Sequence, residues 1–379
     1  MVSVPYGEYR RGSPWPRSPD GTTGGRVTTT ATAPSVPAGD RRPRTTRSLR
    51  RRRLLGLALL FALLVACCLA SVAIGAKAIP LGHVWDALVA PTGSEDDIVV
   101  RSLRIPRTVL GALAGAALGL AGTLIQGHTR NPLADPGLLG VNAGAAFAVV
   151  TGIYAFGVTS LFGYVWFAFA GALIASVAVF VLGSAGRGGP TPVTLALAGA
   201  AVSALLAALT TSVILVDVAS LDAYRFWSVG SLAGRDAEVA GQVVWFLLAG
   251  AVIGLAGAPA LNALSLGEDV ARSLGQSVRR TRVLGVVAIT LLAGGATAAC
   301  GPIAFVGLVV PHVVRAFTGP DHRWLLPASA LAGAVLLLTA DVLGRIVARP
   351  GELQVGIVLA LVGAPFFIAL VRRRTMVQL

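Results

Sequence analysis

From residue 54 onward, long apolar runs alternate with short polar stretches that carry arginine, glycine and proline. Ten runs are bounded in this way: 54–75, 108–127, 138–156, 163–182, 191–215, 239–257, 283–299, 303–317, 325–343 and 355–371. About 20 helical residues cover the hydrocarbon core of a bilayer, so the pattern predicts an all-α polytopic membrane protein with about ten transmembrane helices. The run 303–317, set off by Gly301-Pro302, is short for a crossing, and a re-entrant segment competes with a span there. Before residue 54 the pattern is different. Residues 1–53 are rich in Pro, Thr, Gly and Arg and have too little apolar surface to offset the entropy of ordering, which predicts a disordered basic cytoplasmic tail. The expected division is therefore a tail, 1–53, and a membrane domain, 54–379. A cleaved signal peptide is the rival for the first run, because Leu64-Val65-Ala66-Cys67 resembles a lipoprotein cleavage box. Against it, the run is long enough to span and many more spans follow.

Arginine placement orients the helices, since cytoplasmic loops carry the excess of Lys and Arg. Ten spans put both termini inside, with the tail, Arg130, Arg187, Arg272, Arg279, Arg280, Arg282, Arg315, Arg323 and Arg372 to Arg374. The outer face then holds Lys77, Arg101, Arg104, Arg107, Arg225, Arg235, Arg345 and Arg349. Merging the runs around Gly301-Pro302 would move Arg372 to Arg374 outside, against the rule.

Composition agrees: 55% of the 379 residues are hydrophobic, 13% are charged and the mean hydropathy is +0.77, values of a polytopic membrane protein. The formal net charge of +14 would suggest nucleic acid, but the arginines lie in the tail and in short loops between apolar runs. Cys67 and Cys68, inside the first run, and Cys300, at the end of another, read as small buried hydrophobes without a disulfide framework.

Absences narrow the chemistry. The acidic residues nearest to the spans, Asp217 and Asp341, sit at their ends, whereas a proton-coupled carrier needs ionisable groups within the membrane. Lys77 is the one lysine and follows no Gly-rich loop, so a phosphate-binding P-loop is excluded and any ATP must be bound by another chain. His83, His128, His312 and His322 form no zinc pattern, and no nucleophile motif lies in a span, which leaves no catalytic residue, metal site or resident cofactor to propose.

Two segments carry an interaction pattern. In the second run Gly111, Gly115, Gly119 and Gly122 line one helical face, as in helices that approach closely in lipid, with Thr123 and Gln126 placed for interhelical hydrogen bonds. In the cytoplasmic loop 261–282, Leu266, Val270, Ala271 and Leu274 form the apolar face of a short helix opened by Gly267 and closed by Gly275, with Glu268, Asp269 and Arg272 facing away. Surface-lying helices are usually basic on the polar face, so the adjacent Glu268 and Asp269 favour docking to a protein partner over the inner leaflet.

The chain closely resembles the permease family of type II ABC importers, the FecCD type, which take up iron-siderophores, haem and cobalamin. The resemblance runs from Leu54 to Leu379. It rests on Arg104-Ile105-Pro106-Arg107, Gln126, the segment RNPLADPG at 130–137, GPIAFVGLVVPHVVR at 301–315, Asp321-His322-Arg323 with Leu325-Leu326-Pro327, Ala340-Asp341 with Arg345, and Glu352-Leu353 followed by Gly356. Gln354 departs from the proline usual after Glu-Leu and puts only the turn before the last helix in doubt.

The resemblance implies a type II ABC importer permease fold of ten helices. It also implies a second copy or a homologous permease, two ATP-binding-cassette ATPase subunits beneath, and an extracytoplasmic substrate-binding protein above. It places ATPase coupling on Gly267, Glu268, Asp269, Val270, Arg272, Leu274 and Gly275, and binding-protein docking on Arg104, Arg107 and Arg345. The three arginines run against the positive-inside trend; for Arg104 and Arg107 an acidic partner surface is favoured over lipid headgroups, while for Arg345 a pair with Asp341 one turn away explains it equally well. Tyr224, Phe226 and Trp227 follow the fifth span and read either as an external gate or as an aromatic belt.

The function expected is ATP-driven import of a metal chelate, a ferric siderophore ahead of haem or cobalamin, across the plasma membrane by alternating access. ATP is used by the partner subunit. A secondary transporter or channel is the alternative from a different class.

Overall fold

The computed structural model describes residues 46–185 and 191–372; residues 1–45 of the expected tail, together with Arg187, Arg373 and Arg374, lie outside the described residues. Fifteen α-helices follow in chain order. They are α1 (Thr46–Ala73), α2 (Leu81–Val89), α3 (Glu95–Ile98), α4 (Ile105–Thr129), α5 (Val141–Phe156), α6 (Leu161–Ser184), α7 (Pro192–Val216), α8 (Val218–Trp227), α9 (Ala237–Ala256), α10 (Ala258–Ser265), α11 (Glu268–Ser273), α12 (Val278–Cys300), α13 (Val306–Thr318), α14 (His322–Val347) and α15 (Val355–Arg372).

Ten of these, α1, α4, α5, α6, α7, α9, α12, α13, α14 and α15, coincide with the ten apolar runs. Among the described residues, seven helices are long and apolar enough to cross a membrane, while those of α5, α13 and α15 are shorter. The 13 residues of α13 rise only about 20 Å. Non-helical backbone at residues 301–305 precedes it, and Gly301 and Ile303 there are buried. Such backbone is tolerated at membrane depth only where protein covers it.

Two expectations need correction. Residues 46–53, assigned to the disordered tail, form the first turns of α1, because the arginines preceding Leu54 are good helix formers joined to a strongly helical run. Cys67 and Cys68 are only half-buried, since α1 is a peripheral helix with much of its surface open; Cys300 is buried as expected.

The helices sort the charges to two ends. Arg53 donates to the carbonyl of Thr318 and lies near Asp321, at one end of α1 and α14. At the other end of the same helices, Arg345 donates to the carbonyl of Ser71. The first end is the one expected to be cytoplasmic, the second the outer one.

The central helix is α4. Residues 114–115 and 117–127 are all buried, and its glycine face meets backbone rather than side chains. A Cβ on Gly115 would collide with the carbonyl of Gly333, on Gly119 with that of Ser329, and on Gly122 with that of Gly307. The stripe therefore seats α4 against α14 and α13 at a separation only glycine allows. Gly111 differs, meeting the side chains of Leu338 and Leu232. Gln126 crosses the same junction, its amide donating to the Gly307 carbonyl at 3.2 Å, but Thr123 does not; its hydroxyl donates back to Gly119 of its own helix.

Replacing Gly122 by valine should force α4 and α13 apart and lower stability by about 1–3 kcal/mol, the usual cost of overpacking. Gly241→Ala, where nothing lies within 4 Å of the added carbon, is the control expected to be neutral. Thermal unfolding in detergent compares the two.

Candidate functional site

The end expected to be the outer one is built around one buried carboxylate. Asp341, fully buried in the last third of α14, accepts from Arg345 one turn later and from Arg107 at the start of α4, Nη2 at 2.8 Å. Arg345 is itself 1% exposed and turns its remaining donors to Ser71 and the Ile74 carbonyl at the end of α1. Arg107 extends to Glu352 at 2.6 Å. Arg104, 5% exposed, donates to the carbonyls of Val72 and Ala73, which the end of α1 leaves unpaired, and to that of Lys77 in the loop beyond. These residues tie α1, α4 and α14 together. The arginines expected on an open landing surface are thus engaged inside the chain, and only Arg107, beside the half-exposed Glu352, reaches the edge.

Neighbouring polar groups are closed in the same way. Lys77 pairs with Glu95 and Asp96 at 3.0 Å each, and these bonds raise its pKa above the ordinary lysine value. The exposed cations at this end include Arg101 and Arg349, and Arg349 is itself held by the Gly75 carbonyl at 3.0 Å.

The gate segment is a real helix with a mixed face. Asp217 caps α8 by accepting from the Ser220 backbone at 2.7 Å. Within it Phe226 is 62% exposed, Tyr224 is half-buried and Trp227 is 4% exposed in the main core. The three aromatics therefore do not act as one group. Trp227 instead anchors the segment, because its carbonyl sits against Gly301 while the following Ser231 donates to the Cys300 carbonyl at 2.7 Å. Gly230 accepts from the Gly356 backbone at 3.1 Å, joining the same loop to the start of α15.

At the end expected to be cytoplasmic the short helix opened by Gly267 is present as α11, and a separate helix, α10, precedes it. α10 ends at Ser265, and α11 begins after Gly267, whose φ of +119° is accessible to glycine alone at low cost. Gly275, at φ +80°, closes the element as expected. Of the apolar positions only Ala271 is buried, packed with Leu264 and Val278; Leu266, Val270 and Leu274 are 65%, 43% and 59% exposed. That face is thus presented outward. Glu268 does not face away either: it accepts from Arg272 at 3.3 Å and from Arg282 at the start of α12. Asp269, bonded to Arg272, is the exposed carboxylate of the pair.

Sequence reasoning missed Arg282, Ser71 and Glu352 as partners. No local spacing announces Ser71 or Arg282, but Glu352 was visible in the Glu-Leu motif.

The sequence profile of the FecCD transport family matches residues 63–373. The chain belongs to the FecCD transport family. The ferric enterobactin transport system permease protein FepD of Escherichia coli is 50% identical over 317 residues, 84% of this chain and 94% of that protein. The hemin transport system permease protein HmuU of Yersinia pestis is 38% identical over 325 residues, 84% of this chain and 95% of that protein. A solved inward-facing structure described as a metal-chelate type ABC transporter aligns with a TM-score of 0.74 and 30% identity, covering 85% of this chain and 99% of that one. The helical fold is therefore that of a FecCD permease, and the ten-helix reading stands.

In this FecCD chain Asp341→Asn should leave two guanidinium groups, Arg345 and Arg107, without their shared carboxylate. Removing one partner of a buried pair costs about 3–5 kcal/mol. A thermal melt of Asp341→Asn within 1 °C of the parent would show that the carboxylate does not hold this end together.

Proposed function

We propose that the chain is the membrane-spanning permease subunit of an ATP-binding-cassette importer that carries a ferric siderophore into the cytoplasm. The observation that carries the reading is 50% identity over nearly the whole length of a ferric enterobactin permease, against 38% for a hemin permease. The paired ends of the molecule support it, an outer face braced by buried arginines and an inner face bearing a short helix with an outward apolar surface.

In this reading the chain sits in the plasma membrane with both termini cytoplasmic and works with a second copy or a homologous permease. Two ATPase subunits bind and use ATP; this chain binds no cofactor and carries no catalytic residue of its own. Leu266, Val270 and Leu274 enter grooves on the ATPases, with Asp269 at the rim. Above, a substrate-binding protein docks on the outer face. Of the three arginines assigned to docking, Arg107 is the one an incoming carboxylate reaches first, by displacing Glu352, while Arg104 and Arg345 act from beneath by holding the surface in place. Phe226 is the gate aromatic open to a passing ligand. Alternating access follows from closure of the ATPase pair, which moves the coupling segments.

Cells with and without the gene, given labelled ferric siderophores, haem and cobalamin, should differ in uptake of one or more ferric siderophores. Loss confined to haem or cobalamin would replace the substrate, and uptake that persists without the ATPase, driven by an ion gradient, would replace the class.

The coupling assignment has its own test. Substituting Glu268, Asp269 and Leu274 together by alanine should abolish co-purification with the ATPase subunits; unchanged co-purification would sink the assignment.

A further inference from the structure

A cavity of about 530 Å³ opens at the cytoplasmic end between α9, α10 and the start of α12. Its lining is divided. Leu124, Val252, Ile253 and Leu284 supply its apolar lining, and Gln276, Ser277, Arg280 and Thr281, from the first turn of α12 and the residues just before it, supply its polar lining. Val252, at 66% exposure, and Leu284, at 42%, turn outward on helices that face the bilayer, so the apolar wall continues into the membrane. The polar end lies where those helices leave it.

Its charge is uncompensated. No carboxylate lines the cavity among the described residues. Arg272 and Arg282 are both engaged by Glu268, whereas Arg280 is exposed and has no ion pair among the described residues. His128 also lines the cavity, and its Nδ1 has no hydrogen-bond partner among the described residues. A cationic and hydroxyl-bearing mouth over an apolar slot matches a molecule with a phosphate at one end and a hydrocarbon chain at the other.

We propose that this cavity holds an anionic phospholipid of the cytoplasmic leaflet, its phosphate on Arg280 and one acyl chain between α9 and Leu284. The proposal takes its sidedness from the importer reading above. Anionic lipids are concentrated by basic side chains at that surface, and the chain end is buried where water is excluded. Gly275 and Gln276, which close the coupling segment, also line the cavity. The lipid therefore braces the junction of α11 with α12, and ATP-driven coupling acquires a dependence on anionic lipid.

The test uses the assembled transporter in nanodiscs of phosphatidylcholine, with or without phosphatidylglycerol, read by native mass spectrometry for retained lipid. Arg280→Gln should lower retained phosphatidylglycerol about fivefold relative to the parent, the equivalent of one basic contact at the surface. Ala260→Phe, which keeps the arginine and fills the slot, should lower it as well. Substrate-stimulated ATPase should rise with phosphatidylglycerol in the parent and respond less in both variants. Equal retention in parent and variants overturns the proposal. So does millimolar inorganic phosphate stabilising the parent in pure phosphatidylcholine as much as phosphatidylglycerol does, which would make the site one for free phosphate. Lipid retention is measured without transport, so failure of the parent to import any chelate would count against the importer reading and leave this result standing.

Discussion

The close seating of α4 on α14 and α13 is the contact on which the rest of the molecule depends. Lipid supplies no hydrophobic drive between helices, so association comes from van der Waals contact and from polar groups that find each other. Gly115, Gly119 and Gly122 remove every side chain from the contact line, and the opposing surface is likewise backbone, at Gly333, Ser329 and Gly307. A helix so enclosed is buried along most of its length, and its ends are drawn into the bundle with it.

Burial of those ends explains the polar chemistry at each face. Arg104 and Arg107 enter α4 from the outer side, where α1 leaves open carbonyls and α14 presents Asp341. A guanidinium held there without acceptors would be expensive, and each of the two has several. At the other end Gln126 answers the Gly307 carbonyl and receives Arg315 at 3.3 Å. The same packing thus makes the outer knot of ions and the inner amide bridge necessary.

The sequence made the helices legible because a bilayer demands apolar length, and that demand is written directly in the runs. The break at Gly301-Pro302 was also readable, from Gly and Pro together with the arginine count. Depth was harder to read. Arg104, Arg107 and Arg345 were read as lying at one end of the helices, which they do, yet that does not reveal whether a charge meets water or a carboxylate 234 residues away. Gly267 and Gly275 marked the ends of α11 in the sequence, but the apolar spacing of Leu266, Val270 and Leu274 did not reveal that these side chains turn outward. Trp227 looked like its aromatic neighbours because its separation from them depends on Gly301, in a distant loop.

One helix joins the two ends of the molecule. At one end α12 receives α11 through Arg282 and Glu268, and through Val278 packed with Ala271. It then runs 23 residues, about 35 Å, to Cys300, whose carbonyl holds Ser231 of the gate loop. Unlike α13, α14 and α15, interrupted by Pro311, Pro327 and Pro365, it contains no proline to absorb a displacement by kinking. Protein interiors are close-packed and transmit strain rather than dissipate it. A continuous helix thus links α11 to the loop at Trp227–Ser231, and the bond between Gly230 and Gly356 ties that loop to the start of α15. On the importer reading proposed above, α12 is the element along which a displacement of α11 travels between the two ends, with the proline-bearing helices beside it.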